Sequence, residues 1–413
     1  MKKTLNLFSV MATLTTLTLL TGCGSDEVIN DPTVDNPITF SITANNESRS
    51  ADFYCNNYKP NDIYVSALYN SGTAIKPYMK NEHYKLINNV WSIDGFKRYW
   101  PATGTLSFYA ANVQSKNLGT DGGKVDVNMS TAPYGITYTP PTAADNQIDI
   151  IYSVAKNQTK PASGITALNF RHAVSLISFK AANKIPHAQI TIESISINNV
   201  ATAGSFAFPD ADTKPNTEKH DGTGTAPTVA YTGKWSKLQY PVARNNSGRY
   251  FTTTPLSGTI VMKVKDETVK NLTDFTTSGT KETNFNKTLM LIPQTRAAWT
   301  PATAKSAFAQ TAGAYLTIKC KIQNIALETA TEPSATDIYI WDDGKGGTKE
   351  LAIPLDVNWE AGKKYTYTII FNGNGSGGYD PDNGGEVLIP ISVTATIHKA
   401  DGSDAHQDID VAK

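Results

Sequence analysis

The chain has 413 residues, which is enough for two domains of ordinary size. Its 37 basic residues are balanced by 37 acidic ones, and this near-neutral charge argues against nucleic acid as a partner. Gly, Tyr, Thr and Asn are abundant, and long stretches with a helical period are almost absent, so the composition predicts an all-β chain.

The first 22 residues have the features of a bacterial signal peptide. Two lysines precede an apolar run, residues 5–20, that is too short and too interrupted to stay in a membrane as a helix. The run ends in Leu-Thr-Gly-Cys23, which resembles a lipobox and implies cleavage before Cys23 and lipidation of its sulfur. A plain secretory signal is the alternative. The other two cysteines, Cys55 and Cys320, either pair or remain buried thiols, and we expect thiols.

Residues 23–49 are predicted to be a lipidated tether followed by a removable first strand. An acidic spacer leads into Ile-Thr-Phe-Ser-Ile at residues 38–42, whose alternation is typical of a half-buried strand. Residues 45–50 are polar, without bulky apolar side chains, so the loop suits a protease and Arg49 is the predicted cleavage site. The alternating residues are predicted to fill one groove, and we call them the plug residues: Ile38, Phe40 and Ile42.

Residues 50–184 and 185–413 are predicted to be two β-sandwich domains. Short strand-like runs recur throughout between clusters of Gly, Pro, Asn and Asp. The boundary is placed at residues 183–186, because they separate two strongly β-patterned runs and include a proline that interrupts strand pairing.

A change of phase within residues 190–197 predicts a β-bulge. Ile190 and Ile192 alternate with polar residues, but they are out of phase by one residue with Ile195 and Ile197. An extra residue near Glu193 would let all four side chains face the core.

Residues 387–397 form the candidate donor strand. Alternate apolar residues share one face of it: Ile389, Ile391, Val393, Ala395 and Ile397. The alternative, left open, is that this segment is simply the last strand of the second domain. The tail that follows, residues 398–413, is polar, and we expect it to offer no replacement strand.

No pattern of catalytic or metal-binding residues is visible in the sequence. None of the six histidines lies in H-E-x-x-H, and there is no Gly-x-Ser-x-Gly elbow. His172 has no second His or acid at ligand spacing, and the stretch after Asp380 does not fit the calcium-loop pattern. Tyr99 and Trp100 are expected in a core layer, with a sugar-stacking platform as the alternative. We therefore expect no enzyme activity, no metal and no cofactor.

Further short motifs follow one another along nearly the whole chain. They are Tyr99-Trp100-Pro101 with residues 106–110, then residues 168–179, 195–200, 204–206, 291–294 and 359–367. Together with the lipobox, its tether and the first strand followed by an arginine, these motifs resemble the fimbrillins of Bacteroidales, the Mfa-like and FimA-like subunits of type V pili.

The resemblance implies two transthyretin-like β sandwiches in tandem. It also implies export as an outer-membrane lipoprotein, cleavage after an arginine in the first loop, and strand exchange with other fimbrial subunits in an adhesive fimbria on the cell surface. Stalk and tip positions both stay open, as do the adhesion ligand and the identity of the donor segment. The main alternative is a surface glycan-binding lipoprotein of a polysaccharide-uptake system, which has no need of a strand followed by a cleavable arginine. A secreted β-sandwich hydrolase is a further alternative.

Overall fold

The computed structural model describes residues 37–43, 62–87, 90–129, 134–185, 188–213, 232–241, 251–253, 260–263, 288–300, 313–324, 338–371, 377–381, 386–398 and 404–409. The regular structure in these ranges is β-strand, apart from one short 3-10 helix, Ala144–Asn146, which confirms the predicted all-β fold. Within the same ranges, no helix has the length and apolar character needed to span a bilayer.

The first sheet contains eight of the described strands. They are β1 (Thr39–Thr43), β2 (Asp62–Asn70), β3 (Ile75–Ile87), β4 (Val90–Ile93), β5 (Thr105–Ala111), β9 (Ile151–Gln158), β10 (Ile165–Asn169) and β11 (Arg171–His172). Their order is β10-β1-β4-β3-β2-β5-β9-β11, so β1 lies inside the sheet between two neighbours. Aromatic and β-branched residues supply its core, as expected for strands packed on one face.

A smaller sheet contains five described strands and joins two distant parts of the sequence. They are β6 (Lys116–Leu118), β7 (Gly123–Asn128), β8 (Gly135–Thr139), β14 (Ala203–Ala207) and β15 (Lys234–Gln239). Because β14 pairs antiparallel with β8, this sheet includes strands from both sides of residue 184. The described residues belong to one compact unit, Asn36–Lys413, and the predicted boundary at 184/185 stays a prediction.

The largest sheet contains twelve described strands. They are β12 (Ser175–Asn183), β13 (Ala188–Asn198), β16 (Phe251–Thr253), β17 (Ile260–Lys263), β18 (Leu289–Leu291), β20 (Tyr315–Asn324), β21 (Ile338–Trp341), β22 (Lys349–Pro354), β24 (Lys364–Phe371), β25 (Gly377–Tyr379), β26 (Glu386–His398) and β27 (Asp404–Ile409). Its main path is β16-β13-β20-β22-β25-β26-β24-β12-β18, with β17, β21 and β27 attached at its sides. A separate short pair joins β19 (Thr295–Arg296) to β23 (Val357–Asn358).

The predicted β-bulge is confirmed in β13. Its pairing with β20 shifts register between Ile192 and Ser194, so that one extra residue stands on the β13 side. As a result Ile190 and Ile192 lie on the same buried face as Ile195 and Ile197, and all four are 0% exposed. The bulge therefore keeps a continuous row of isoleucines in the core despite the change of phase.

The polar C-terminal tail contains a strand that was not expected, and whether it could replace β26 stays open. Residues Asp404–Ile409 form β27, which pairs antiparallel with β26 from His398↔Asp404 to Val393↔Ile409. The tail has few apolar residues. Residues 404–409 form a strand because the edge of β26 offers them backbone hydrogen-bond partners. Consequently β26 is not the last strand of the chain.

Candidate functional site

The first strand lies between two strands of the same sheet. β1 runs parallel to β10 over five residue pairs, from Thr39↔Ile165 to Thr43↔Asn169, and it meets β4 antiparallel at Phe40↔Trp91. Removing β1 would therefore leave two rows of unpaired backbone groups, one on β10 and one beside β4.

Three further contacts hold the beginning of β1. The backbone N–H of Ile38 donates to the carbonyl of Arg98 at 2.7 Å, and Pro37 forms an antiparallel bridge with Tyr99. On the other side, Thr39 Oγ1 donates to the carbonyl of Gly164 at 3.2 Å. Thus the segment before β5 and the turn before β10 contact the N-terminal end of β1 from its two sides.

The side chains of β1 fill an aromatic groove. Ile38 and Phe40 are both 0% exposed, and the Phe40 ring packs edge-on against Tyr84 and Phe108 at centroid distances of 4.9 Å and 5.1 Å. Burying two side chains of this size stabilises the strand in place by about 3–6 kcal/mol in total. We call the surface against which β1 packs the β1 groove, and it is formed by Tyr84, Trp91, Phe108, Thr166 and Leu168.

The groove is apolar enough to alter the acidity of a phenol. Tyr84 is 0% exposed, and burial, helped by the negative charge of Glu82, raises the pKa of its hydroxyl far above the ordinary value. Glu82 itself forms an ion pair with Arg98 at 2.5 Å, which ties the segment after β4 to β3. The residues that form the β1 groove are all neutral, which suits a surface that receives apolar side chains.

The predicted processing residues lie outside the described part of the chain. Cys23 and Arg49 both fall there, so the structure says nothing about their surroundings. The third plug residue, Ile42, belongs to β1 and is the register partner of Leu168, but its side chain is not described. The groove-filling arrangement of Ile38 and Phe40 is thus observed, whereas its role in assembly stays a prediction.

The candidate donor residues belong to an internal strand. β26 pairs with β24 over eight residues, from Phe371↔Ile391 to Lys364↔His398, and its other edge meets β25 and β27. Ile391, Val393 and Ala395 are buried in the core, and Ile397 packs against it. Ile389 also lies in β26, but its side chain is outside the description.

The aromatic pair before β5 lies against the core of the first sheet. Trp100 is half-buried and packs edge-on against Phe108 at 5.6 Å, while Tyr99 accepts a hydrogen bond from the Tyr78 hydroxyl at its backbone carbonyl. This placement agrees with the predicted core layer, since the Trp100 ring is engaged by protein on its inner side.

A buried acid partner of His172 was missed in the sequence. His172 Nδ1 lies 2.8 Å from Asp149 Oδ2, and the two side chains are only 9% and 6% exposed. The sheet brings them together because His172 in β11 pairs with Ile151, the first residue of β9, which lies two residues after Asp149. Within the described ranges, no group of three or more His, Cys, Asp or Glu residues is suited to holding a metal ion.

Asp380 forms an ion pair, and Cys320 is buried in the core. Asp380 Oδ2 lies 2.5 Å from Lys349 Nζ, and that ammonium group lies 4.5 Å from the centroid of the Trp341 ring. Cys320 is a free thiol in the core, and burial raises its pKa far above the ordinary value. Cys55 lies outside the described residues, so the question of its pairing stays open.

Several solved structures are similar to the chain over most of its length. A fimbrial protein from Bacteroides vulgatus ATCC 8482 is 15% identical, with a TM-score of 0.48 and coverage of 90% of this chain and 99% of that one. A protein assigned to cell adhesion from Bacteroides uniformis ATCC 8492 is 14% identical, with a TM-score of 0.38 and coverage of 91% and 99%. No curated protein sequence matches the chain.

A family model gives the assignment. The model described as Fimbrillin-like matches residues 56–397, a range that begins before β2 and ends within β26. Because this match covers most of the chain, the protein belongs to the fimbrillin-like family.

Proposed function

We propose that this protein is a structural, non-catalytic subunit of a cell-surface fimbria, assembled by strand exchange and serving adhesion. The observation that carries the proposal is the position of β1, which is buried inside a sheet although it lies near the beginning of the chain. A strand in that position is a removable part of the fold only if another strand can take its place.

Cleavage after Arg49 is the step that makes the exchange possible. Before cleavage, β1 is covalently joined to the body through residues 44–61, and its high effective concentration keeps it in the groove. After cleavage the covalent link is gone. Within the described residues β1 is then held by its backbone pairing with β10 and β4, by its contacts with Arg98, Tyr99 and Gly164, and by the buried side chains of Ile38 and Phe40. An incoming strand then competes with a detached segment.

Lipidation at Cys23 fits the same sequence of events. The lipid would hold the precursor in the outer membrane through residues 23–49, and cleavage after Arg49 would release the body from the lipid and free it to lose β1. The anchor and the plug are thus parts of one removable segment, so a single cut would release both restraints.

The C-terminal end of the chain is the best source of the incoming strand. β26 was the predicted donor, but withdrawing it would remove Ile391, Val393 and Ala395 from the core of the largest sheet. β27 pairs with β26 over six residues, within the described part of the chain, and no strand described there lies on its other side. Releasing β27 therefore disturbs less of the fold, and we propose it as the segment that is donated.

The experiment is to compare Arg49→Ala with the neighbouring Ser48→Ala variant in cells that assemble the fimbria. Arg49→Ala should give a folded, membrane-anchored monomer that keeps residues 23–49, because the cut is lost while the fold is intact. Ser48→Ala keeps the arginine and should give the normal high-mass polymer ladder. A normal ladder from Arg49→Ala, with its N-terminal segment still attached, would rule out the proposal.

A further inference from the structure

β9 and β10 follow each other in the chain but do not pair with each other. Residues 159–164 join them, and the described antiparallel pairing to β9 on this side begins only after β10, where β11 pairs through Arg171↔Tyr152 and His172↔Ile151. Among the described strands, β10 pairs with β1 alone. Because consecutive strands lie side by side in most sheets, a physical cause must keep these two apart.

Asp212 and Thr213, which we call the wedge, occupy the space between the two strands. The N–H of Thr213 donates to the carbonyl of Val154 in β9 at 2.9 Å, and the N–H of Val154 donates to Thr213 Oγ1 at 3.0 Å. The N–H of Lys156, also in β9, donates to Asp212 Oδ1 at 2.5 Å. On the other side, Asn169 Nδ2 of β10 donates to the carbonyl of Thr213 at 3.1 Å. The wedge therefore bonds to both strands.

The wedge lies where direct pairing of the hairpin would otherwise occur. Continuing the register of the β9–β11 pair along the hairpin would place Val154 opposite Asn169, and these are the two residues to which Thr213 bonds. Thr213 is 1% exposed, and its hydroxyl also lies 3.0 Å from Ser153 Oγ. It is thus a fixed part of the fold that takes up the backbone edge of β9.

We propose that the wedge keeps the β1 groove open in a subunit that has lost β1. β10 contributes Thr166 and Leu168 to this groove, and without β1 it has no sheet partner among the described strands. Unpaired strand edges readily pair, and closure of the hairpin onto β9 would satisfy β10 but remove one side of the groove. The wedge prevents this because it already occupies the backbone groups of β9. The inference rests on the proposed removal of β1, and it adds the element that preserves the empty site.

The wedge is expected to affect the empty groove and not the filled one. While β1 is in place, its pairing holds β10 in position. Once β1 is absent, the fraction of molecules with an open groove sets the apparent affinity for any strand that enters. A change in the wedge that leaves the groove open in about a tenth of the molecules would therefore weaken binding about tenfold.

The test uses the purified chain cleaved after Arg49, from which residues 23–49 have been removed by gel filtration in mild denaturant. The probe is a fluorescent synthetic peptide of residues 36–44, which contains β1 itself, so the result does not depend on which strand is donated during assembly. We expect Asp212→Ala and Thr213→Val each to weaken binding of this peptide about tenfold, as measured by fluorescence anisotropy after the denaturant has been dialysed away.

The matched control is Asp210→Ala. Asp210 is an exposed aspartate in the same segment and forms no hydrogen bond to β9 within the described residues, so its truncation should leave the peptide affinity unchanged. Before cleavage, all three variants should have the circular dichroism spectrum of the parent, because β1 is still in place. If Thr213→Val does not fold, Asp212→Ala decides, since the Asp212 side chain is exposed and its loss leaves the core intact.

The outcomes separate the wedge from strand exchange. Parent-like affinity in Asp212→Ala, or equal weakening by Asp210→Ala, overturns the wedge and leaves the removal of β1 in place. Loss of folded structure in Asp212→Ala before cleavage also overturns it, because the wedge would then support the fold as a whole. If the peptide does not bind the emptied parent chain, both proposals fail, since β1 is then not a replaceable part of the fold.

Discussion

Replacing Phe40 by alanine would measure how strongly β1 is held. The ring is 0% exposed and packs against Tyr84 and Phe108, so alanine would leave a cavity in the middle of an aromatic cluster. Truncating a buried phenylalanine to alanine costs about 3–5 kcal/mol in protein cores. We therefore expect the uncleaved Phe40→Ala protein to lose about that much free energy of unfolding in guanidinium denaturation followed by tryptophan fluorescence. Trp91, the register partner of Phe40, lies close enough to report the change.

The matched control is Phe96→Ala. Phe96 is 78% exposed, so the same chemical truncation should change the free energy of unfolding by no more than about 0.5 kcal/mol. After cleavage at Arg49, Phe40→Ala should also speed the release of residues 23–49 by at least about tenfold, since about 1.4 kcal/mol corresponds to a factor of ten. A Phe40→Ala protein that is as stable as Phe96→Ala and releases residues 23–49 at an unchanged rate would refute the view that Phe40 retains β1 in the groove.

Three more predictions concern other parts of the chain. Gly104 has φ +78° and its added Cβ would lie 2.4 Å from the carbonyl oxygen of Asn70, whereas Gly72 has φ +90° and open space around it. Gly72→Ala should lower the free energy of unfolding by about 1 kcal/mol through backbone strain alone. Gly104→Ala should lower it clearly more, because the added Cβ also clashes, and equal losses in denaturation experiments would contradict this. A double-mutant cycle of Asp149→Leu and His172→Leu should give a coupling energy of about 1–3 kcal/mol, because the pair is buried; additive losses would show that the contact contributes nothing. Finally, Cys23→Ala should leave the membrane fraction while the parent stays there, and a variant that fractionates with membranes as the parent does would exclude lipid anchoring.

Local patterns were sufficient to predict several features of the fold. The alternation of Ile38 and Phe40 predicted a strand with one buried face, and the change of phase at Glu193 predicted the bulge of β13. Both features depend on which side of a pleated strand faces the core, and alternation along the chain records that directly.

Features that depend on distant pairing were not accessible from the sequence. No periodicity shows that β1 would lie parallel to β10, or that β11 would bring His172 onto Asp149. β27 was missed because residues 404–409 are largely polar, and the open edge of β26 supplies their pairing.

The loss of β1 from assembled subunits is the central step of the proposed strand exchange. The intact mass of subunits dissociated from purified fimbriae, compared with that of the precursor extracted from membranes, tests this directly. We predict that fimbrial subunits begin at Ser50 and lack residues 23–49, while the membrane-bound precursor begins at a lipidated Cys23. Assembled subunits that still contain residues 37–43 would contradict the account.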